Sequence, residues 1–206
     1  MRLIRGKDGK RRCWWGASTP DYVEYHDLEW GRPVMDDDKL YEKLCLEAFQ
    51  SGLAWITILR KRENFRAAFA GFSIEAVARF GPRDVERLMR DAGIVRNRAK
   101  IDAALANARA ASALRDGGET LSDVIWAHRP TGRRAAPKTF SELAATTPES
   151  TALAKDLKRR GFRFVGPTTA YALMQACGVV NDHLAGCWVR REVEDERREA
   201  LRHRPR

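Results

Sequence analysis

No stretch of the sequence approaches the roughly 20 consecutive apolar residues that a membrane-spanning helix requires, and no strictly alternating apolar pattern of strand length occurs. The first absence excludes a spanning helix; the second leaves little from which to build a sheet. Internal repeats are also missing. The opening segment MRLIRGKDGKRRC is too polar for a secretory signal, so a cytosolic protein is expected. Only four cysteines occur in 206 residues, which in that compartment argues against a disulfide framework and leaves burial or metal binding. Cys45 and Cys177 sit among apolar helical residues and read as core; Cys13 and Cys187 do not.

What is present suffices for one well-buried globular core, with 44% hydrophobic and 32% charged residues. A single compact domain is expected, with a monomer as the default. Lysine and arginine number 38 against 28 acids, a formal charge of +10 that makes a polyanion the leading partner through counterion release. Much of this excess lies at the edges, in RLIRGKDGKRR, RPTGRRAAPK and RREALRHRPR, where solvated tails are an equal reading. Basic charge inside the folded part, in LRKRENFR and LKRRGFRF, is more telling.

Apolar spacing is helical almost throughout, so the chain is expected to be all-α. In DDDKLYEKLCLEAFQSGLAWITILRKRENFRAAF, acids favour a helix start, Leu40, Leu44 and Ala48 share one face, and Gly52 marks a break. Shorter helices are expected in SIEAVARFG, capped by Ser73, and in PRDVERLMRDAG, opened by Pro82 and closed by Gly93. An alanine-rich helix follows and ends at Gly117 and Gly118. Thr147 and Pro148 open another helix, Gly161 stops it, and PTTAYALMQACG forms the next. Residues 129 to 139 read as a basic loop.

The link GFRFVG between those late helices allows two readings. Free main-chain N–H groups at the start of the next helix would suit a DNA phosphate. Alternatively this is an ordinary corner with Phe162, Phe164 and Val165 packed inward. A second constellation is HLAGC, which sets His183 and Cys187 one helical turn apart. Cys13 and His26 would complete a closed tetrahedral site of the structural kind, tying the N-terminal segment to a late helix; the spacing is not that of a zinc finger. With all four positions filled by protein, no room remains for a catalytic water.

CWWGASTPDYVEYHDLEWGRP, LCLEAFQSGLAWITILRKRENFRAAF, DAGIVRNRAKIDAALANARA and LKRRGFRFVGPTTAYALMQACGVVNDHLAGC together resemble the type I DNA-3-methyladenine glycosylase family, in order, from about Cys13 to Cys187. The resemblance implies a helix-hairpin-helix fold, with GFRFVG at the DNA-binding hairpin and Phe164, Gly166, Thr168 and Thr169 as its DNA contacts. It implies a structural zinc on Cys13, His26, His183 and Cys187, the same four residues. It also implies excision of 3-methyladenine from alkylated double-stranded DNA without backbone cleavage. In that family a glutamate at the position of Glu47 contacts the flipped base, a tryptophan at Trp55 stacks on it, and aromatics matching Trp15, Tyr22, Tyr25 and Trp30 shape the pocket.

The chemistry of these residue types is coherent. 3-Methyladenine in DNA is cationic and already a good leaving group; ring faces attract a cation by roughly 0.5–2 kcal/mol each, and a carboxylate accepts hydrogen bonds from the base edge. On a helical wheel Glu47 lies about 20° from Leu40, at the apolar edge beside Lys43, where a glutamate is usually solvated or paired. Asp182 is the competing acid, expected instead to cap or to orient the neighbouring zinc histidine. No lysine stands out as a Schiff-base nucleophile, so no lyase activity is expected. Residues 1–12 and 190–206 fall outside the resemblance and are expected to be a disordered basic extension and a charged tail flanking a domain at 13–189. Trp14 leaves open which of it and Trp15 faces the base. Two alternatives stand against the enzyme. A non-catalytic zinc-containing helix-hairpin-helix module would not need Glu47, Trp55 and Tyr25 together, and an RNA binder would show a recognisable signature such as an RRM aromatic pair.

Overall fold

The structure is a computed structural model, and it describes residues 3–132 and 134–202. Its elements in order are strands β1 (Leu3–Arg5) and β2 (Arg11–Cys13), then helices α1 (Pro20–Leu28), α2 (Asp37–Gln50), α3 (Trp55–Ala68), α4 (Ile74–Ala78), α5 (Pro82–Arg90), α6 (Arg98–Asp116), α7 (Leu121–Ala127), α8 (Pro148–Arg159), α9 (Pro167–Ala176) and α10 (Arg190–Arg202). A 3-10 turn at Trp14–Ala17 joins β2 to α1. Helix start signals act where expected: Ser73 accepts a hydrogen bond from the Ala76 N–H, and Thr147 from that of Ser150, with Pro148 in the first turn. The chain leaves α2 at Ser51 and passes Gly52 at φ 81° before α3, so the expected break is real.

Helix α2 is the hub. Its buried Leu40, Tyr41, Leu44, Cys45 and Phe49 meet α3, α6, α7 and α9. Phe49, Phe65, Phe69 and Phe72 form a chain of ring contacts beneath it. Polar atoms that enter this core find partners, as burial demands: the Tyr41 hydroxyl donates to the Ala104 carbonyl at 2.9 Å and the Trp126 indole to that of Val34 at 2.9 Å. Cys45 and Cys177 are core residues.

Four sequence expectations need correction. The fold is not purely helical, because Leu3–Arg5 and Arg11–Cys13 pair antiparallel, Leu3 opposite Cys13. The basic extension is therefore ordered from Leu3 to Arg12, and the reason is local: Arg12 is buried and donates to Asp8 and Asp27. Met1 and Arg2 lie outside the described residues. The charged tail is helix α10 as far as Arg202, anchored by buried Val193 and by Arg197 donating to the Gly178 and Val179 carbonyls; residues 203–206 lie outside the described residues. Helix α5 ends at Arg90, three residues short of Gly93. Helices α1 and α7 were not expected.

Candidate active site and metal cluster

Thr19 caps helix α1, its hydroxyl accepting from the Tyr22 N–H, and the helix carries side chains to two sites at once. Tyr22 and Tyr25 turn toward α3, and His26 turns toward the C-terminal loop. The Tyr22 hydroxyl accepts a hydrogen bond from the Ile56 N–H at 3.0 Å. It thereby supplies a partner at the start of α3, where the N-cap residue Ala54 offers none.

Between α1, α2, α3 and α9 lies a cavity of about 480 Å³. Trp15, Tyr22, Tyr25, Trp30, Glu47 and Trp55, separated by up to 40 positions in the chain, all line it. Trp14 lines it as well, so lining the cavity does not separate Trp14 from Trp15. Trp15 packs edge-on to Tyr22 and Trp30, with centroids 5.7 and 4.9 Å apart, and Trp14 is edge-on to Phe140 at 5.8 Å. Sequence reasoning missed Phe140, Leu143 and Gln175, which also line the cavity; the first two sit in an irregular segment with no pattern to single them out. Among the described residues the indole N–H groups of Trp14 and Trp55 are buried without an acceptor, at a cost of roughly 1–3 kcal/mol each. Such a cost concentrates where a fold serves something other than stability.

Glu47 is 7% exposed, and among the described residues no donor is hydrogen-bonded to its carboxylate. Burial pushes its pKa up to about 7, with the nearby charge of Lys43 pulling the other way. Lys43 is itself committed to Glu29 at 2.6 Å, and Arg62 donates to the other oxygen of Glu29. Burial works against the charge of Glu29, yet these two cations hold its pKa below the ordinary range. Glu29 is thus a paired acid, and Glu47 is the free one. Burial also raises the Tyr25 pKa, so its hydroxyl stays protonated.

Asp182 does not orient the adjacent histidine, which corrects the expectation. It is buried and accepts from the Tyr171 hydroxyl at 2.5 Å and from the Gln175 amide at 2.9 Å, with Arg134 at 3.6 Å.

Cys13, His26, His183 and Cys187 come together, all buried, with one ligand atom of each within 4.8 Å of the others. Sγ of Cys187 is 3.5 Å from Nε2 of His26 and 3.6 Å from Nδ1 of His183, and Sγ of Cys13 is 3.9 Å from that Nδ1. A tetrahedral metal with bonds of about 2.3 Å to sulfur and about 2.0 Å to nitrogen would set such sulfur–nitrogen edges at about 3.5 Å. The geometry therefore fits a four-coordinate cation. The outer partners agree: an ionised carboxylate only accepts, so His26 donates its Nδ1–H to Asp27 at 2.8 Å, and His183 donates its Nε2–H to the Trp30 carbonyl at 2.9 Å. Each ring is left with a lone pair facing the cluster. Burial lowers the His183 pKa, which favours that neutral form. Asp27 in turn is gripped by Arg12 at 2.6 Å and by the Trp188 indole at 3.0 Å. Two glycines make room: a Cβ on Gly16 would sit 2.4 Å from the His26 ring, and Gly31, at φ 84°, lies against His183.

The late hairpin resolves between its two readings. Phe162 and Val165 are buried as the corner reading requires, but Phe164 is 42% exposed at φ 55°. Gly161 makes the turn at φ 93°. On α6 the buried Asn107 accepts from the Arg163 N–H at 2.7 Å and donates to the Arg163 carbonyl at 3.2 Å, clamping the hairpin. Gly166 caps α9 without a side chain, and Pro167 opens it. The Thr168 and Thr169 N–H groups have no acceptor among the described residues, as expected of a first turn.

Residues 14–191 match the methyladenine glycosylase family. The chain belongs to that family. As a methyladenine glycosylase it is a glycosyl hydrolase, and the aromatic cavity is the candidate for its active site. It is 50% identical to DNA-3-methyladenine glycosylase 1 of Escherichia coli (strain K12) over 179 residues, 85% of this chain and 95% of that one. A crystal structure of 3-methyladenine DNA glycosylase I superposes with a TM-score of 0.83 at 47% identity, covering 86% of this chain and 98% of the other. A tyrosine-to-phenylalanine variant of another 3-methyladenine DNA glycosylase I, in complex with 3-methyladenine, superposes with a TM-score of 0.82 at 32% identity, covering 87% and 97%. The family match begins after β2 and ends at the start of α10. Among the described residues no helix is long and apolar enough to cross a membrane.

Proposed function

We propose that this methyladenine glycosylase hydrolyses the N-glycosidic bond of 3-methyladenine in alkylated double-stranded DNA, as a monofunctional enzyme acting as a monomer. The observation that carries this reading is a buried carboxylate with no hydrogen-bonding donor of its own, Glu47, in a cavity walled by tryptophan and tyrosine rings. The bound 3-methyladenine in a structurally similar relative supports it. A base flipped out of the stack would enter the cavity, where Trp55 stacks on it and Trp15, Tyr22, Tyr25 and Trp30 shape the walls. Each ring face contributes roughly 0.5–2 kcal/mol toward a cation. Neutral adenine gains less from the rings and from Glu47, so charge supplies the selectivity.

Bond cleavage sends the C1′–N electron pair to the base, which leaves neutral, and the positive charge passes to the sugar. Water then adds to C1′ and loses a proton. Glu47 is the recognition carboxylate and an electrostatic stabiliser of this cationic path. Among the described residues no lysine lines the cavity, which supports hydrolysis without a lyase step. Cys13, His26, His183 and Cys187 would hold a zinc ion of purely structural kind, because four protein ligands leave no position for water. For DNA, Phe164, Gly166, Thr168 and Thr169 offer an exposed hairpin and free N–H groups at the positive end of α9, suited to a backbone phosphate.

The direct test is incubation with methylated DNA and detection of free 3-methyladenine. Absence of release by folded, zinc-loaded protein would overturn the enzyme reading. Full activity of Glu47→Gln would move the recognition role to another group. A metal content near zero in folded protein would remove the zinc.

A further inference from the structure

Gln175 lies in the last turn of α9, half-buried, and is one of the residues that line the cavity. Its amide has a defined orientation. The carboxylate of Asp182 is buried and accepts from Gln175 Nε2 at 2.9 Å; the same oxygen takes the Tyr171 hydroxyl at 2.5 Å, and Arg134 stands near the other at 3.6 Å. A carboxylate that only accepts cannot tolerate the flipped amide, which would set a carbonyl oxygen against it. The Gln175 carbonyl oxygen therefore points away from Asp182. Among the described residues no donor reaches it, and it is not among the buried atoms left unpaired.

We propose that Gln175 is a specificity-determining residue, a second acceptor beside Glu47 that reads the exocyclic amine of the flipped base, and that Asp182 is the positioning residue that keeps it an acceptor. This rests on the reading of the cavity as a site for methylated adenine. Two acceptors suit a cationic base whose amine carries two N–H groups. A methylated guanine presents a carbonyl oxygen at the corresponding place and would meet an acceptor face to face. A site built to satisfy one hydrogen-bonding pattern rejects the reversed pattern more sharply than any apolar pocket can reject a change of shape. Acceptors that a bound base would cover without offering them a donor supply that rejection.

The test compares release of 3-methyladenine and 3-methylguanine from methylated duplex DNA by wild type, Gln175→Leu, Asp182→Asn and Tyr171→Phe. In Gln175→Leu, kcat/KM for 3-methyladenine is expected to fall roughly tenfold, the loss of one hydrogen bond to a charged ligand, while release of 3-methylguanine stays level or rises. In Asp182→Asn the new amide can donate to the Gln175 carbonyl, so the amide turns over and presents its N–H groups to the cavity. The preference for 3-methyladenine should then shrink by a similar factor. Tyr171→Phe removes a hydrogen bond to Asp182 without freeing Gln175, so it should keep the wild-type preference and report any purely structural effect on the melting temperature. An unchanged preference in both Gln175→Leu and Asp182→Asn, with wild type active, overturns this proposal and leaves the glycosylase reading standing. Wild type that releases neither base overturns both. If Asp182→Asn does not fold, the Gln175→Leu ratio decides alone.

Discussion

Glu47 carries two opposite pH dependences, because one carboxyl serves both the fold and the site. Its pKa in the folded chain is pushed up to about 7 by burial, with Lys43 opposing, so the native protein holds a proton that the unfolded chain has already lost. A group raised in this way favours folding below its ordinary range, and that contribution disappears as pH climbs through about 7. Between pH 5 and 8 the unfolding free energy is expected to fall in wild type and to fall less in Glu47→Gln, measured by urea denaturation at each pH. Activity runs the other way. The ionised form attracts the cationic base, so kcat/KM should rise with pH through about 7 and level off above it. In Glu47→Gln that limb should vanish and kcat/KM at pH 8 should drop roughly 10- to 100-fold, the range for a lost hydrogen bond to a charged group. A variant that loses activity but keeps the rising limb would assign the titration elsewhere.

At the scale of elements, the hairpin between α8 and α9 depends on a residue of α6. Asn107 is buried on that helix and binds the Arg163 N–H and carbonyl together, acting as a fixed piece of backbone. Asn107→Leu leaves both Arg163 groups without their partner. The expected loss is about 1–3 kcal/mol of stability, and binding to undamaged duplex DNA should weaken beyond what that loss explains, as judged by anisotropy at a temperature where the variant is fully folded. Equal affinity would detach the clamp from DNA binding. Much of this architecture was legible in the chain because its signals are local: Thr147, Pro148 and Gly161 delimit α8, and Gly52 separates α2 from α3. Helix α1 was not legible. Its consecutive buried residues Tyr25, His26 and Asp27 face the cavity, the cluster and Arg12 in turn, so no single apolar stripe marks it. The seven-residue α7 is buried on most sides and carries too few turns for periodicity, although its Thr120 and Asp123 box was there to be read. At the site, residue types such as Glu47 and the four metal-ligand candidates could be named from the chain. Asn107 could not, and Asp182 was named with the wrong role, since what each does is set by partners that only the folded backbone brings near.

Across the whole molecule, the two ends of the chain meet at the cysteine–histidine cluster, where Cys13 and His183 stand 170 positions apart in sequence. A cross-link that closes so long a loop acts mainly on the unfolded chain, and its effect grows only slowly with further length. With the proposed zinc in place, a chelator should therefore lower the melting temperature and loosen Trp15 and Trp30, which pack against His26 and His183. Helix α10 lies over this junction. Arg32 pairs with Glu192 at 3.0 Å and with Glu196, Arg190 donates to the carbonyls of Asn181 and His183, and Val193 is buried with Cys13, Leu184 and Cys187. Burying one valine contributes roughly 1.5–3 kcal/mol, which for a chain of this size corresponds to about 3–12 °C in melting temperature. Truncation after Val189 should lower the melting temperature by that order and speed zinc release to a colorimetric chelator, while released 3-methyladenine per folded, zinc-loaded molecule stays near wild type because α10 supplies nothing to the cavity. Zinc release at the wild-type rate would reduce α10 to a surface addition, and a loss of turnover in the loaded protein would mean that the helix reaches the active site through the cluster it covers.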